Sequence, residues 1–450
     1  MGAFHAYDIR GVYNVDFDRD TAYKVGFFIP ELLKADRVLV GRDCRLSSDE
    51  IHDSLVKGIT DAGADVCDLG LSTTPMVYFG TARYGFKASV QITASHNPAS
   101  YNGMKVSGEN ALPVGLDNGL GQIRDWIDEG RKCVPAERKG KVEKMDIRRE
   151  YLDFLLGHKE DLSGLKIAMD LSNGMASLYA KDIFGDAPEY IFEEMDGRFP
   201  NHEPNPLIPE NVEALSSLVR RTGADVGVIY DGDADRVMFT DENGQFISPD
   251  LMIAVLGHWF FEKKGEKGIV LQDIRSSKAV GEHLVPMGAE MHTWKVGRAF
   301  AARKLRELDG VYGGELAGHY YFRDFFYSDS GLLASILILN VVAEMKRRGV
   351  SLSALIAGIA KYRSSGEINF RIEDKQGAMD AVRDYFMAQE KATAYMDFDG
   401  YRVEFPLWWF NIRPSNTEPY LRFICEASSQ ELLDDKVAQV RKILTEHFGA

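Results

Sequence analysis

Three stretches of the chain repeat one layout: an apolar, β-like run ends at an aspartate, Ser or Asn follows within a few residues, and a helical segment comes next. In the first, Arg37-Val-Leu-Val-Gly-Arg-Asp43 leads through Ser47 and Ser48 into a segment where Ile51, Leu55 and Ile59 recur at helical spacing. In the second, Lys166-Ile-Ala-Met-Asp170 is followed by Ser172 and Asn173, and in the third, Gly268-Ile-Val-Leu-Gln-Asp273 by Ser276 and Ser277. Strands that alternate with helices predict α/β layers, because each sheet face needs helices to cover it. At 450 residues the chain is too long for one core, so several domains are expected.

After about Tyr362 the pattern changes. Gly366 to Ile372, Tyr401 to Ile412 and Leu421 to Glu426 read as strands, and Gly377 to Gln389 and Gln430 to His447 as helices, which predicts an α+β tail. Linkers are expected near residues 140–150, 245–250 and 363–368, which divides the chain into units 1–147, 148–248, 249–364 and 365–450.

Several classes of protein are excluded on these grounds. No apolar stretch behind a basic start opens the chain, so no secretory signal is expected. Ala6 stands where a myristoylation pattern on Gly2 wants Ser or Thr. Leu332 to Ala343 is interrupted by Asn340 and falls short of the roughly 20 apolar residues a bilayer requires, so it reads as a buried helix and no membrane partner is expected. Cys44, Cys67, Cys133 and Cys425 lack C-x-x-C spacing, which argues against a zinc site or a disulfide framework and fits a reducing, cytoplasmic setting. A net charge of −15 argues against nucleic-acid binding, so any anionic ligand must meet locally concentrated cations.

Four loops offer chemistry. Thr93-Ala-Ser-His-Asn-Pro98 follows the β-like Ala88 to Ile92 and precedes Tyr101-Asn-Gly-Met-Lys105. Either it is a simple turn, as Asn-Pro and Asn-Gly pairs often are, or Ser95 is a nucleophile or phosphate carrier with His96 and Lys105 supplying protons or positive charge. Asp231-Gly-Asp-Ala-Asp-Arg236 follows the β-like Val226 to Tyr230, and its alternating carboxylates can converge on one hard cation. An EF-hand reading would use Asp231, Asp233, Asp235 and Glu242, but Arg236 stands where that loop requires Gly, and a strand precedes it. In Gly313-Gly-Glu-Leu-Ala-Gly-His319 the glycines allow close backbone approach, and Glu315 could hold sugar hydroxyls beside His319. Arg413-Pro-Ser-Asn-Thr-Glu-Pro419, between two apolar strands, combines an arginine fork, hydroxyls and an amide into a cradle for a phosphate monoester. Each loop taken singly could be a structural turn. Together they describe a single reaction.

In order and spacing these four stretches resemble the α-D-phosphohexomutase family of phosphomannomutases and phosphoglucomutases, over essentially the whole chain. Ala6-Tyr-Asp-Ile-Arg-Gly11 also looks like that family's N-terminal signature, whose tyrosine and arginine, here Tyr7 and Arg10, face the active site. The resemblance implies three topologically similar α/β/α domains with mixed sheets plus a C-terminal α+β domain, arranged around a central cleft. It implies that Ser95 is the phosphoserine and that Ser95, Asp231, Asp233 and Asp235 hold one Mg2+ ion, with Arg236 beside the transferring group. Lys105, His96 and Arg10 become candidates for proton transfer and charge stabilisation, and Glu315 and His319 for gripping the sugar. Lys295 and Arg298 join the substrate contacts, while Arg413, Ser415, Asn416 and Thr417 would bind the phosphate that is not being transferred.

The implied reaction has two steps through a hexose 1,6-bisphosphate, which serves as intermediate and activator. Phospho-Ser95 donates its group to a hexose phosphate, the bisphosphate turns over, and the other phosphate returns to Ser95. The chain would act as a monomer or homodimer. Two positions depart from the common bacterial pattern: Ala317 lies where many relatives carry Ser, and Arg298 where they carry His. Leu316 stands where glucosamine-phosphate enzymes usually have Gln, which favours mannose or glucose phosphates. Phosphoglucosamine mutase, a magnesium-dependent sugar phosphatase using the same serine, and a catalytically silent sugar-phosphate sensor are the alternative readings.

Overall fold

The computed structural model describes residues 2–415 and 420–449. The repeated layout folds into three mixed sheets, each with a parallel centre and an antiparallel side. In the first sheet, strands Arg37–Arg42, Asp65–Leu71 and Ala88–Ile92 run parallel, and Tyr101–Gly108 returns antiparallel to Ala88–Ile92. In the second, Ile167–Asp170 pairs parallel with Val226–Tyr230, which pairs antiparallel with Val237–Asp241. In the third, Gly268–Asp273 pairs parallel with Tyr312–Gly314, which pairs antiparallel with Tyr320–Phe322. The tail is an antiparallel sheet with helices Lys375–Gln389 and Gln430–Phe448.

All four chemistry-bearing loops therefore occupy one kind of place: each joins a strand to the antiparallel strand beside it. The strand-end aspartates Asp43, Asp170 and Asp273 lie at the end of the neighbouring parallel strand, next to the loop. Sequence spacing alone cannot show this equivalence, because it depends on which strands pair.

The expected strand Tyr401 to Ile412 is two strands, Tyr401–Glu404 and Trp408–Pro414. Pro406 has no N–H for a ladder, and Phe405 N instead donates to Trp408 O at 2.8 Å to close a turn. Gly366 to Ile372 shortens to Ile368–Phe370, and Ala394–Met396 adds an edge strand without a clear sequence signal. The apolar run at Leu332 is a buried helix, Gly331–Arg347, capped by Ser330 Oγ accepting from Leu333 N at 3.1 Å. Its Asn340 is a tether, donating to His158 O at 2.8 Å and accepting from Glu160 N at 3.0 Å. No helix among the described residues is long and apolar enough to cross a membrane.

One continuous core links the first three units, running from Leu39 and Phe79 through Met169 and Phe239 to Leu337. The tail has its own core around Phe386, Phe410 and Phe423. Polar contacts contribute to the joint between tail and third unit. Arg402, 2% exposed, donates to Ile274 O and Ser276 O, both at 2.7 Å, and its guanidinium stacks on Trp409, 3.7 Å from the ring centroid. Trp409 Nε1 in turn donates to buried Glu426 at 2.8 Å.

Burial, aided by the nearby Asp250 charge, pushes the Glu426 carboxyl from 4.5 up to about 7, against the hydrogen bonds of Ser277 and Trp409 and the charge of Arg402. A folded pKa above the unfolded one gives stability that is fully present below pH 4.5 and is lost as pH rises through about 7. Glu426→Gln, which keeps the shape without the charge, is expected to reduce the fall in thermal midpoint between pH 5.5 and 8. A pH slope identical to that of the unmodified protein contradicts this assignment.

Candidate functional site

The serine loop turns back sharply after its strand, and Ser95 takes a left-handed φ of 51°, an unusual conformation for a residue with a side chain. Its backbone N–H is satisfied by Thr93 Oγ1 at 2.9 Å, and the side chain is directed at the second unit. Ser95 Oγ donates to Asp231 Oδ2 at 2.8 Å across 136 residues of sequence. His96 Nδ1 lies 3.3 Å from the same hydroxyl. Burial, then the neighbouring charges of Arg236, Arg10 and Lys105, hold this imidazole well below its usual pKa, so it sits neutral beside the serine.

Asp231, Asp233 and Asp235 are completely buried and close enough to share one ion. Three carboxylates in one dry place repel one another, and the protein offsets this with Lys105, whose Nζ reaches Asp233 Oδ2 at 2.7 Å and Asp235 Oδ2 at 2.5 Å. Thr74 Oγ1 also bonds Asp233 Oδ2. Burial works against the Lys105 charge, but the two aspartates hold its pKa above the ordinary value. Asp231 is pushed the other way from most carboxylates: burial and the charges of Asp233 and Asp235 raise it well above the usual range.

The Oδ1 atoms of Asp233 and Asp235 are buried without a hydrogen-bond partner. Two orphaned carboxylate oxygens, with Asp231 and a serine hydroxyl alongside, make a hard oxygen donor set that fits Mg2+. The EF-hand alternative fails here as well. Glu242, its twelfth position, turns away to bond Ser353, including the backbone N at 3.0 Å.

The acidic loop and the glycine loop meet through Arg236, whose Nε donates to His319 Nε2 at 2.9 Å. An arginine has only donors, so His319 Nε2 accepts and the ring proton sits on Nδ1, donated to Asp329 Oδ2 at 2.6 Å. Asp235, His319 and Asp329 also lie close together, but this proton placement leaves no ring lone pair for a second cation. Arg298 is buried over the Tyr78 ring, 5.1 Å from its centroid, and 4.0 Å from Asp329 Oδ1.

Glu315 is held by two groups, accepting from Gly297 N at 2.6 Å and from Tyr321 Oη at 2.5 Å. Tyr7 Oη donates to Val296 O at 3.0 Å, which brings the N-terminal segment onto the same loop. Gly297, at φ 126°, has no room for a side chain: a Cβ there would sit 2.5 Å from the Tyr7 ring. Lys295 lies 5.8 Å from the Phe300 ring centroid. Arg10 pairs with Asp8 and donates to Asn97 Oδ1 at 2.8 Å, inside the serine loop.

The fourth loop joins through charge. Arg413 is 3% exposed, and its Nη2 lies 3.6 Å from Glu367, a carboxylate also engaged by Arg275 at 3.4 Å and Arg422 at 2.6 Å. Three guanidiniums share this one carboxylate, with Arg275 also paired to Asp273, so positive charge is concentrated around the fourth loop. Burial, then the adjacent Arg275, lower the Arg413 pKa, against the charges of Asp399 and Glu367. Ser415 N donates to Tyr420 O at 2.9 Å, while Asn416 and Thr417 lie outside the described residues.

The serine, acidic and glycine loops are thus in direct contact, and the arginine loop reaches them through Glu367, Arg275 and Asp273, which accepts from Leu316 N at 2.7 Å. Sequence reasoning missed Asp8, Thr74, Asp329 and Glu367, each the partner of a named site residue. Asp8 lies inside the Ala6-Tyr-Asp-Ile-Arg-Gly11 stretch, and no local pattern marks the other three. Arg275 did carry a signal, since it stands two residues after a strand-end aspartate, as Arg45 does.

Family profiles match the chain in four consecutive segments. Those described as phosphoglucomutase/phosphomannomutase alpha/beta/alpha domains I, II and III match residues 1–132, 149–244 and 248–362, and that described as the C-terminal domain matches residues 367–443. A phosphomannomutase of Escherichia coli is 35% identical, covering 99% of each chain. The phosphohexose mutases protein of Xanthomonas campestris pv. campestris is 36% identical, again covering 99% of each. A crystal structure of a phosphoglucomutase/phosphomannomutase family protein from Burkholderia thailandensis superposes with a TM-score of 0.87 at 29% identity, covering 99% of this chain and 97% of that one. With all four segments present in order, the chain belongs to the phosphoglucomutase/phosphomannomutase family of α-D-phosphohexomutases.

Proposed function

We propose that the protein interconverts hexose 1-phosphate and hexose 6-phosphate, with mannose or glucose as the sugar, through a phosphoryl group carried on Ser95. The observation that carries this reading is the 2.8 Å contact of Ser95 Oγ with Asp231, inside a cluster of three buried aspartates. A simple binding protein has no use for a serine hydroxyl buried against such a cluster. The four units, taken as 1–147, 148–248, 249–364 and 365–450, each contribute one loop to the reaction.

Asp231, Asp233, Asp235 and the Ser95 oxygen would hold the Mg2+ ion, which when bound supplies charge neutralisation at the seryl phosphate. The protein's own groups do the rest. Arg236 and Lys105 place fixed positive charge beside Ser95, where the equatorial oxygens of a transferring phosphoryl group gather negative charge. The neutral His96, and Arg10 behind it, stand where a proton must leave or reach the sugar hydroxyl. Glu315, held by Gly297 N and Tyr321, offers a carboxylate to sugar hydroxyls, with His319, Lys295 and Arg298 around it. Tyr7, bonded to Val296 O, borders this group.

Arg413, with Ser415, Asn416 and Thr417, would hold the phosphate that is not reacting. Arg413→Ala is expected to raise KM for the sugar phosphate by about 10²-fold, because a charge-assisted bidentate contact is lost. A KM within threefold of the unmodified protein would refute that role.

The choice of sugar rests on Leu316 and on the relatives named above. It is tested by a coupled assay with mannose, glucose and glucosamine 1-phosphates, each with trace hexose 1,6-bisphosphate. Turnover of the mannose or glucose ester, with the glucosamine ester at least about tenfold slower, is expected. Preference for the glucosamine ester would overturn the sugar assignment.

A further inference from the structure

Arg45, two residues beyond the first strand-end aspartate, has no part in the chemistry above, yet it is among the most constrained side chains in the molecule. We infer that Arg45, seated by Asp43, is the positioning residue that sets the loop carrying Ser95. This rests on Ser95 being the phosphoryl carrier.

The Arg45 side chain has no exposed surface. Each of the five N–H donors a guanidinium owns has an acceptor. Nε donates to Asp43 Oδ2 at 3.1 Å, Nη1 to Pro98 O at 2.7 Å and Tyr101 O at 3.0 Å, and Nη2 to Ser95 O at 2.9 Å and Asn97 O at 2.6 Å. Four acceptors are backbone carbonyls, three in the serine loop and the fourth at Tyr101, which opens the next strand, so the fork fixes the direction of the loop's peptide planes. Ser95 sits among them at φ 51°, a conformation the loop would leave if those carbonyls were free to turn. With them held, the Ser95 hydroxyl points at Asp231 and the Asn97 amide at Arg10. Asp43 is itself anchored, accepting from Arg45 N at 3.0 Å and Ser48 Oγ at 2.6 Å.

The same device recurs in the other two repeats, which gives the strand-end layout a purpose. In the second unit, Ser172 stands two residues after Asp170, takes a bond from its own N–H to Asp170 Oδ1 at 2.8 Å, and donates its hydroxyl at 2.6 Å to the carbonyl of Tyr230, the residue before the acidic loop. In the third, Arg275 grips Asp273 with two bonds, and Asp273 holds Leu316 N in the glycine loop at 2.7 Å. In the first two repeats the residue two beyond the strand-end aspartate holds the site loop, and in the third the aspartate itself does, seated by that residue.

The test is Arg45→Lys, which keeps the charge but offers three donors on a point instead of five on a planar fork. A lowered kcat, by about 10²-fold, is expected with KM within about threefold, because the sugar contacts lie on other segments. The rate at which Ser95 takes up phosphate from hexose 1,6-bisphosphate, followed by intact mass, should slow in parallel. A kcat and phosphate uptake equal to those of the unmodified protein, or a rise in KM without loss of kcat, would overturn the inference. Should Arg45→Lys not fold, Asp43→Asn serves instead. Its amide cannot accept from both Ser48 Oγ and Arg45 Nε, and a kcat drop of about tenfold at constant KM is expected, against none if Arg45 only fills space. If Ser95 of the unmodified protein never takes up phosphate, the carrier assignment itself fails, and that result is separate from normal uptake in both proteins.

Discussion

Replacing Ser95 with alanine should reduce hexose-phosphate interconversion to background, a loss on the order of 10⁴-fold or more, as removing a covalent nucleophile does. The substitution deletes one hydroxyl and its 2.8 Å bond to Asp231. That costs about 2 kcal/mol of stability, which a chain with a core running through three units tolerates. The variant should therefore purify as a folded protein and still gain thermal stability from hexose 1,6-bisphosphate, because the proposed substrate contacts at Glu315 and Arg413 lie on other loops. Circular dichroism and thermal shift check the fold, and a coupled assay checks the rate. Activity within tenfold of the unmodified protein would remove Ser95 from the reaction.

The second large effect is on the acidic loop. Chelation with EDTA should abolish activity and added Mg2+ restore it, and Asp235→Ala should lose about 10³-fold, equivalent to roughly 4 kcal/mol of charge stabilisation. The structure also gives a readout that does not involve turnover. Lys105 neutralises part of the aspartate cluster, but the Oδ1 atoms of Asp233 and Asp235 stay buried and unpaired, a cost that a cation removes. The thermal midpoint of the unmodified protein should rise with Mg2+ concentration, following the free energy of binding to the folded state alone, while that of Asp235→Ala stays flat. A midpoint indifferent to Mg2+ in the unmodified protein would contradict the cation assignment.

The sequence carried the strands that bear the loops with little ambiguity. Ala88 to Ile92 and Val226 to Tyr230 are short apolar runs ended by turn residues, and both fold as strands over those residues. It carried the four loops too, because their chemistry is concentrated in six or seven consecutive residues. What it could not carry were interactions whose two halves are far apart. Asp329 is an ordinary acidic residue until the third sheet brings it to His319, and Thr74 until the first unit docks on Asp233. Lys105 was legible as a cation near the serine, but its engagement of two aspartates depends on the packing of two units. Arg45 shows the limit most clearly. Its place in an Asp-x-Arg pattern is visible, yet four of its partners are backbone carbonyls, which no residue type marks. The tail was read least well, since the turn at Phe405 divides what hydrophobicity alone joins.

The fourth unit raises a question of motion. It has a core of its own, and Arg402, bonded to Ile274 O and Ser276 O, and Glu426, which faces Ser277, fasten it to the third unit by polar contacts in addition to packing. On the proposed route a bisphosphate turns between two phosphoryl transfers and needs space, and a joint of this kind can loosen without unfolding either side. On the proposed route, water reaching the phosphoryl group during transfer would divert it to hydrolysis, which a closed joint would prevent.

Phosphorus NMR of a hexose 1-phosphate incubated with the protein, Mg2+ and trace hexose 1,6-bisphosphate follows every phosphate in one sample. The account predicts that the 1-phosphate resonance falls as a 6-phosphate resonance grows to equilibrium, with inorganic phosphate staying at its starting level. Inorganic phosphate accumulating in step with the loss of sugar phosphate would contradict it.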